Sequence, residues 1–432
     1  MNIIERFVYD FVKGNPKVKN GIKKRYQALY DLIPSKPCVS DHKITVRKGA
    51  FFGFHDKVPF SADNSKLLAM QYGDMPLRMP LDSDQLSIGY YDGTNFEEYH
   101  EVTKTNSWNW HQGCQLQWCG LSNDWIVFND FIDARNVARV LNVDSKETEL
   151  VTEQSIATVS PDGRWGAGYS FERVNTCMPG YGYSHGRCSG LDASAPVDDG
   201  LYRVSLKDGR SELVVNLAQV AQMNPDMSMA GARHYFSHAI IAPDGKRVMF
   251  LHRWIQGDVT KRWSRMLTCN LDGSELYIFP TSGMVSHMAW RDAEHILAYS
   301  RDVDERDGYI LFKDQDPDIW ERIGDGAYNS DGHPSYAHDG RWIVTDTYPD
   351  RSRRSYVTLY DTVRRQRHNL AYLKHWKKFA TPSPERHWAC DLHPRWNRAG
   401  TIVCFDSVYT GTRSLCTIDV SKLVASADDT DR

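Results

Sequence analysis

Apolar residues follow two regimes along this chain. Up to about residue 35 they recur at helical spacing, as Ile3, Ile4, Phe7 and Phe11 and then Ile22, Tyr26, Leu29, Tyr30 and Ile33, interrupted at Gly14-Asn15-Pro16. From about residue 43 short apolar runs take over, separated by turns rich in Pro, Asp and Gly. Lys43-Ile44-Thr45-Val46-Arg47 alternates as a strand should. Trp125-Ile126-Val127-Phe128 follows the turn Ser122-Asn123-Asp124, and Trp165 to Tyr169 follows Pro161-Asp162-Gly163. Each unit supplies an inner strand, a turn, a second strand, and a third that ends as in Leu359-Tyr360-Asp361 or Thr417-Ile418-Asp419.

Three or four strands in every roughly 45 residues is the period of propeller blades. The expected fold is therefore all-β, a seven-bladed β-propeller over 43–432 preceded by a short helical basic arm over 1–42. The blades are expected at about 50–103, 104–150, 151–230, 231–280, 281–325, 326–380 and 381–425. The last blade is one strand short. Ile44-Thr45-Val46 is the segment expected to complete it, which closes the ring and removes an open sheet edge.

Composition refines this picture. A chain of 432 residues that is 41% hydrophobic and 12% aromatic can bury a large core, and repeats let one domain reach that size. A net charge of −3 gives no polyanion signal, so nucleic acid is not an expected partner. No apolar run approaches the roughly 18 residues a spanning helix needs. Glu5, Arg6, Asp10 and Lys13 interrupt the first apolar residues, unlike a secretion signal, and nine scattered cysteines fit reduced thiols; a cytoplasmic location is expected. Lys13, Lys17, Lys19, Lys23, Lys24 and Arg25 make the arm basic. It is expected either to attach peripherally to an anionic membrane or a partner, or to pack on the main domain with a solvated face.

The repeat also carries chemistry. His333 stands seven residues before Gly340 of an Asp-Gly turn; His238 stands likewise before Gly245 and His393 before Gly400, while His287 sits one residue closer to Ile296-Leu297. Inner strands line a propeller's channel, so these four imidazoles are predicted to converge from blades four to seven on a divalent transition metal, zinc or manganese. Asp391, Cys390 and Asp331 are further candidate ligands or partners of ligands. The plainer reading is four strand-capping histidines. Trp108-Asn109-Trp110-His111 opens the second blade, either as a sugar-stacking platform beside a base or as aromatic packing between blades. In the loop Met178-Pro179-Gly180-Tyr181-Gly182-Tyr183-Ser184-His185-Gly186-Arg187, the residues Tyr181, Tyr183, His185 and Arg187 can supply an acid, a base and an anion clamp, unless the loop is ordinary surface.

Several of these motifs resemble a known group. Trp108-Asn109-Trp110 with Gln112-Gly113, the Pro-Gly-Tyr-Gly-Tyr run at 179–183, Phe250-Leu251-His252-Arg253-Trp254, Met284-Val285-Ser286-His287, Asp331-Gly332-His333-Pro334-Ser335-Tyr336 and Asp391-Leu392-His393-Pro394-Arg395-Trp396 together look like the seven-bladed propeller polysaccharide lyases. The likeness is to ulvan lyases first and, more distantly, to oligogalacturonate lyases, whose metal is held by histidines of adjacent blades. It covers about 50–425 and leaves the basic arm outside.

The resemblance implies β-elimination at a uronic acid in an oligosaccharide or polysaccharide. By position His111 is then the base, Tyr181 or Tyr183 the acid or a second base, and Arg187 or Arg203 the carboxylate clamp. Arg233, Arg253 and Arg395 are further anion-binding candidates. The second histidine expected of ulvan lyases falls where this chain reads Asn129-Asp130-Phe131, and His185 or His252 is the candidate replacement. The alternative is a non-catalytic propeller of polysaccharide assembly that binds a glycan or a protein and holds a structural metal.

Overall fold

The computed structural model describes residues 16–31, 33–186, 190–383 and 385–429. Seven antiparallel sheets follow one another along the chain and form a seven-bladed propeller, with blades at 50–105, 117–151, 158–216, 233–278, 285–323, 335–374 and 395–419. Ring closure is the expected one. Ile44–Lys48 pairs with Ser414–Asp419, Ile44 opposite Ile418 and Lys48 opposite Ser414, and becomes the outer strand of blade seven.

Small polar and aromatic staples fix neighbouring blades to one another. Trp118, Trp290 and Trp396, each closing an inner strand, donate their indole N–H to a backbone oxygen of the preceding blade, at Pro59 (2.9 Å), Ile240 (3.1 Å) and Ser335 (3.1 Å). Carboxylates near the ends of the second strands do the converse. Asp346 accepts from the backbone of Leu392 and His393 in the next blade, and Asp406 accepts from Phe52 and Gly53 across the closure. Asn129 plays the same part, accepting from Ile156 N at 2.9 Å and donating to Ile156 O at 3.0 Å. The Asn-Asp-Phe stretch where a catalytic histidine was expected is thus occupied by an inter-blade staple.

The arm is attached to blade six. The helix Pro16–Asp31 lies beside it through Gln27 Nε2 to Asp350 O (3.0 Å) and Asp31 to Arg353 (3.0 Å). Cys38–Val39 then adds a fifth strand to that blade, opposite Leu373 and Tyr372. Residues 1–15 of the arm lie outside the described residues. No described helix is long and apolar enough to cross a membrane.

One buried carboxyl is held against its preference. Asp199, just before the strand Gly200–Ser205, is 5% exposed, one carboxyl oxygen has no partner, and burial pushes its pKa up to about 6. A raised folded-state pKa contributes stability below the unfolded value near 4 and loses it as pH rises through about 6. Asp199→Asn is therefore expected to exceed the parent in stability above pH 6 by up to about 3 kcal/mol. The difference should vanish below pH 4 when urea unfolding is followed across pH.

Candidate active site

Backbone geometry aims the repeated histidines inward. In blade four the strand Arg233–Ile241 breaks register between Ser237 and Ile240, and His238 within that bulge has φ 58°. A bulge turns a side chain out of the strand's alternation, and a left-handed backbone is rare for a residue with a Cβ. In blade five the same kind of shift, between Val285 and Met288, contains His287. His393, two residues before Arg395–Trp396, has φ 44°. Strain of this kind gathers where a side chain must be held at a site.

The four predicted imidazoles do gather, around the ring of Phe54. Its centroid lies 5.0 Å from His238, 6.0 Å from His287, 6.1 Å from His333 and 4.9 Å from His393. His287 and His333 are 4.1 Å apart, and His333 and His393 4.3 Å. A fifth histidine, His55 of blade one, joins them at 5.5 Å from His333. It precedes the turn Ser61-Ala62-Asp63-Asn64, where Asn64 at φ 60° replaces the usual glycine, so only a looser version of the repeat pattern finds it.

Hydrogen bonds decide which nitrogen each ring offers. A carbonyl oxygen only accepts, so His393 Nδ1 donates to Gly53 O (2.8 Å) and His55 Nδ1 to Pro334 O (2.7 Å). Both Nε2 atoms are then lone pairs, buried and without a partner. His333 Nδ1 pairs with Asp346 at 2.8 Å, and this carboxylate raises the imidazole's pKa against the opposing effect of burial. His287 Nδ1 pairs with Asp331 at 3.0 Å. Burial holds His55, His238 and His393 well below the usual histidine range, so they are neutral at pH 7.

The tightest donor set is narrower than the four histidines. His333, Asp391 and His393 offer ligand atoms within 4.8 Å of one another. Two imidazoles and a carboxylate, with the far nitrogens tied to Asp346 and to a carbonyl and with one Nε2 orphaned, fit a divalent transition metal. His238 and His287 stand around this group rather than in it.

Beside the cluster opens a cavity of about 970 Å³. Tyr181, Tyr348, His387 and Asp391 line it together with Arg262, Arg353, Lys377 and Lys378. Asp391 is the one carboxylate among these lining residues, and burial pushes its pKa up to about 6. His387 contacts His111 through Nδ1, and burial lowers it to about 4. His111 itself is 1% exposed, stacks on Tyr181 at 4.5 Å and approaches Asp391 at 3.8 Å, so it stands behind the wall. Burial raises Tyr181 and Tyr348, which therefore keep their protons. Gly180 makes this packing feasible: at φ 92° a Cβ there would lie 2.7 Å from that of His387.

Arg253 lies one layer deeper, with a guanidinium N–H 3.0 Å from Met178 Sδ, an unpartnered Nε and the phenols of Tyr181 and Tyr235 nearby. Burial and the like charge of Arg262 both lower its pKa. Arg262, on the long strand Asp258–Asn270, was not singled out from the sequence, nor were His387 and Tyr348.

Other sequence candidates lie elsewhere. Trp108 and Trp110 are 1–2% exposed, T-shaped to each other at 5.0 Å, and donate to Asp84 O and Arg78 O, so they pack the blade and present no face to a sugar. Tyr183 stacks on Phe171 at 4.5 Å and receives a hydrogen bond from Asn129, deep in the core. His185 stacks on Phe131 and pairs with Asn106 O, outside the cavity lining. Arg203 bonds Glu212 and covers Trp165. His252 is sandwiched in a buried chain between His234 (2.8 Å) and Arg265 (3.0 Å), and Arg395 bonds Gly53 O, Phe54 O and Asp406. Arg233 opens the inner strand of blade four and does not line the cavity. Arg187 lies outside the described residues.

No protein-family model matches the chain, and neither does any curated protein sequence. Among solved structures the chain resembles an oligogalacturonate lyase in complex with manganese (TM-score 0.57, 15% identity, 89% of this chain and 95% of the other). It also resembles the oligogalacturonate lyase of Vibrio parahaemolyticus (TM-score 0.59, 13% identity, 89% and 99%). What this chain shares with them at such identities is the fold, the seven-bladed propeller.

Proposed function

We propose that the chain is a lyase that cleaves a uronate-containing glycan by β-elimination. The observation that carries this reading is the cavity's charge: Arg262, Lys377 and Lys378 face one carboxylate, Arg353 being paired with Asp31, and the walls lead to a neutral imidazole and two protonated phenols. A carboxylated sugar fits that field. The likeness in fold to oligogalacturonate lyases supports the same substrate class, whereas nothing specific to ulvan is added by it.

In this reading Arg262, with Arg253 behind it, neutralises the C5 carboxylate and acidifies the neighbouring proton. His387 removes that proton, with His111 fixing its ring from behind. The C5–H electron pair becomes the C4–C5 double bond, the C4–O4 bond breaks, and Tyr181 delivers a proton to the departing oxygen. The base role expected of His111 from the sequence thus passes to His387, because His387 and not His111 lines the cavity. His333, Asp391 and His393 would hold a divalent metal such as manganese or zinc, whose positive charge supplies further stabilisation of the carboxylate.

Two measurements on one preparation test this. Incubation with uronate oligosaccharides should give an ultraviolet-absorbing unsaturated product, and metal analysis should find about one transition-metal ion per chain, lost in His333→Ala/His393→Ala. Metal without product on a broad panel of uronic acids would replace the lyase with a glycan-binding propeller. Unchanged metal in the double variant would remove the ligand set.

A further inference from the structure

The helix Pro16–Asp31 is docked the wrong way round for an ordinary amphipathic helix. A helix on a globular domain turns its apolar stripe to the core. Here the polar residues Gln27 and Asp31, one turn apart, face the propeller: Gln27 is buried against Asp350 O, and Asp31 pairs with Arg353. Tyr26 and Leu29, with Ile33 just beyond, share the opposite face at helical spacing and are 52%, 63% and 57% exposed. The stretch from Lys13 to Arg25 adds six cations and no acid, and Arg25 is exposed. An apolar face turned to solvent, in a segment whose sequence is this rich in cations, suits a helix lying in an anionic interface.

We infer that Tyr26, Leu29 and Ile33 form the centre of a docking face for an anionic lipid surface. Charge selects this occupant over a second copy of the chain, since two such basic segments facing each other would repel. The same helix contributes Gln27 and Ala28 to the cavity lining, so the docking face and the cavity share one element. The inference stands on the helix and does not rest on the lyase reading.

The test is flotation of the full chain with phosphatidylcholine vesicles, with and without phosphatidylglycerol, against Tyr26→Glu/Leu29→Glu. The parent should float only with the anionic vesicles and be released by raised salt, and the double variant should partition at least about tenfold less. Its melting temperature should be unchanged, since both side chains are exposed. Two outcomes overturn the inference: a parent dimer that the double variant dissociates without any flotation, which assigns the face to a second copy, and a monomer that floats with neither vesicle, which leaves the face to residues 1–15 of the same chain.

Discussion

Changing His387 to glutamine is expected to lower kcat on uronate oligosaccharides by about a thousandfold, with KM and melting temperature nearly unchanged. The ring lines the cavity, and its low pKa keeps it unprotonated at working pH, as a base must be. Glutamine preserves size and a hydrogen-bonding end but takes up no proton. The companion variant His111→Asn separates the two imidazoles. As a positioning residue, His111 should matter by about one to two orders of magnitude, and part of its loss should return with another hydrogen-bonding side chain such as glutamine. Single-variant kinetics in which His111→Asn is the more damaging change would hand the base role back to His111.

The largest loss of stability is expected from Asp406→Ala. This carboxylate is 1% exposed and accepts from Phe52 N at 3.0 Å, Gly53 N at 2.9 Å and Arg395 Nη2 at 3.2 Å, tying blade seven to blade one. Removing it leaves two buried amides and a guanidinium without their anion, and an uncompensated buried charge costs about 3–5 kcal/mol. Asp406→Asn retains an acceptor of the same shape and should lose less. Denaturant midpoints of the two variants check the ordering, and equal midpoints for Asp406→Ala and the parent would show that the closure is held by the strand pairing alone.

The fold was legible because its signal is periodic. Asp-Gly turns followed by apolar runs recur often enough to number the blades, and the missing seventh outer strand pointed to Ile44–Val46, which the ladder with Ile418 and Cys416 bears out. The histidine slot was legible for the same reason. What periodicity could not reveal is convergence from loops: His387, Tyr348 and Arg262 share no spacing, and only the ring brings them to one cavity. Aromatic and histidine-rich stretches misled in the other direction. Trp108, Trp110, Tyr183 and His252 have the residue types of a binding site, yet their polar atoms are spent on Asp84, Arg78, Asn129, His234 and Arg265 within the packed blades. Gly182 shows why that loop is half core, since a Cβ there would sit 2.1 Å from Phe171 O.

The pairing of Ile44–Lys48 with Ser414–Asp419 also bears on how the molecule is made. The strand that completes the ring is made before the first blade and its partner after the first six, so during synthesis an unpaired sheet edge waits through nearly the whole propeller. Contacts so distant in sequence close slowly, and exposed edges recruit other chains. Assembly of the propeller should therefore be limited by the meeting of these two strands, and most vulnerable to aggregation just before they meet.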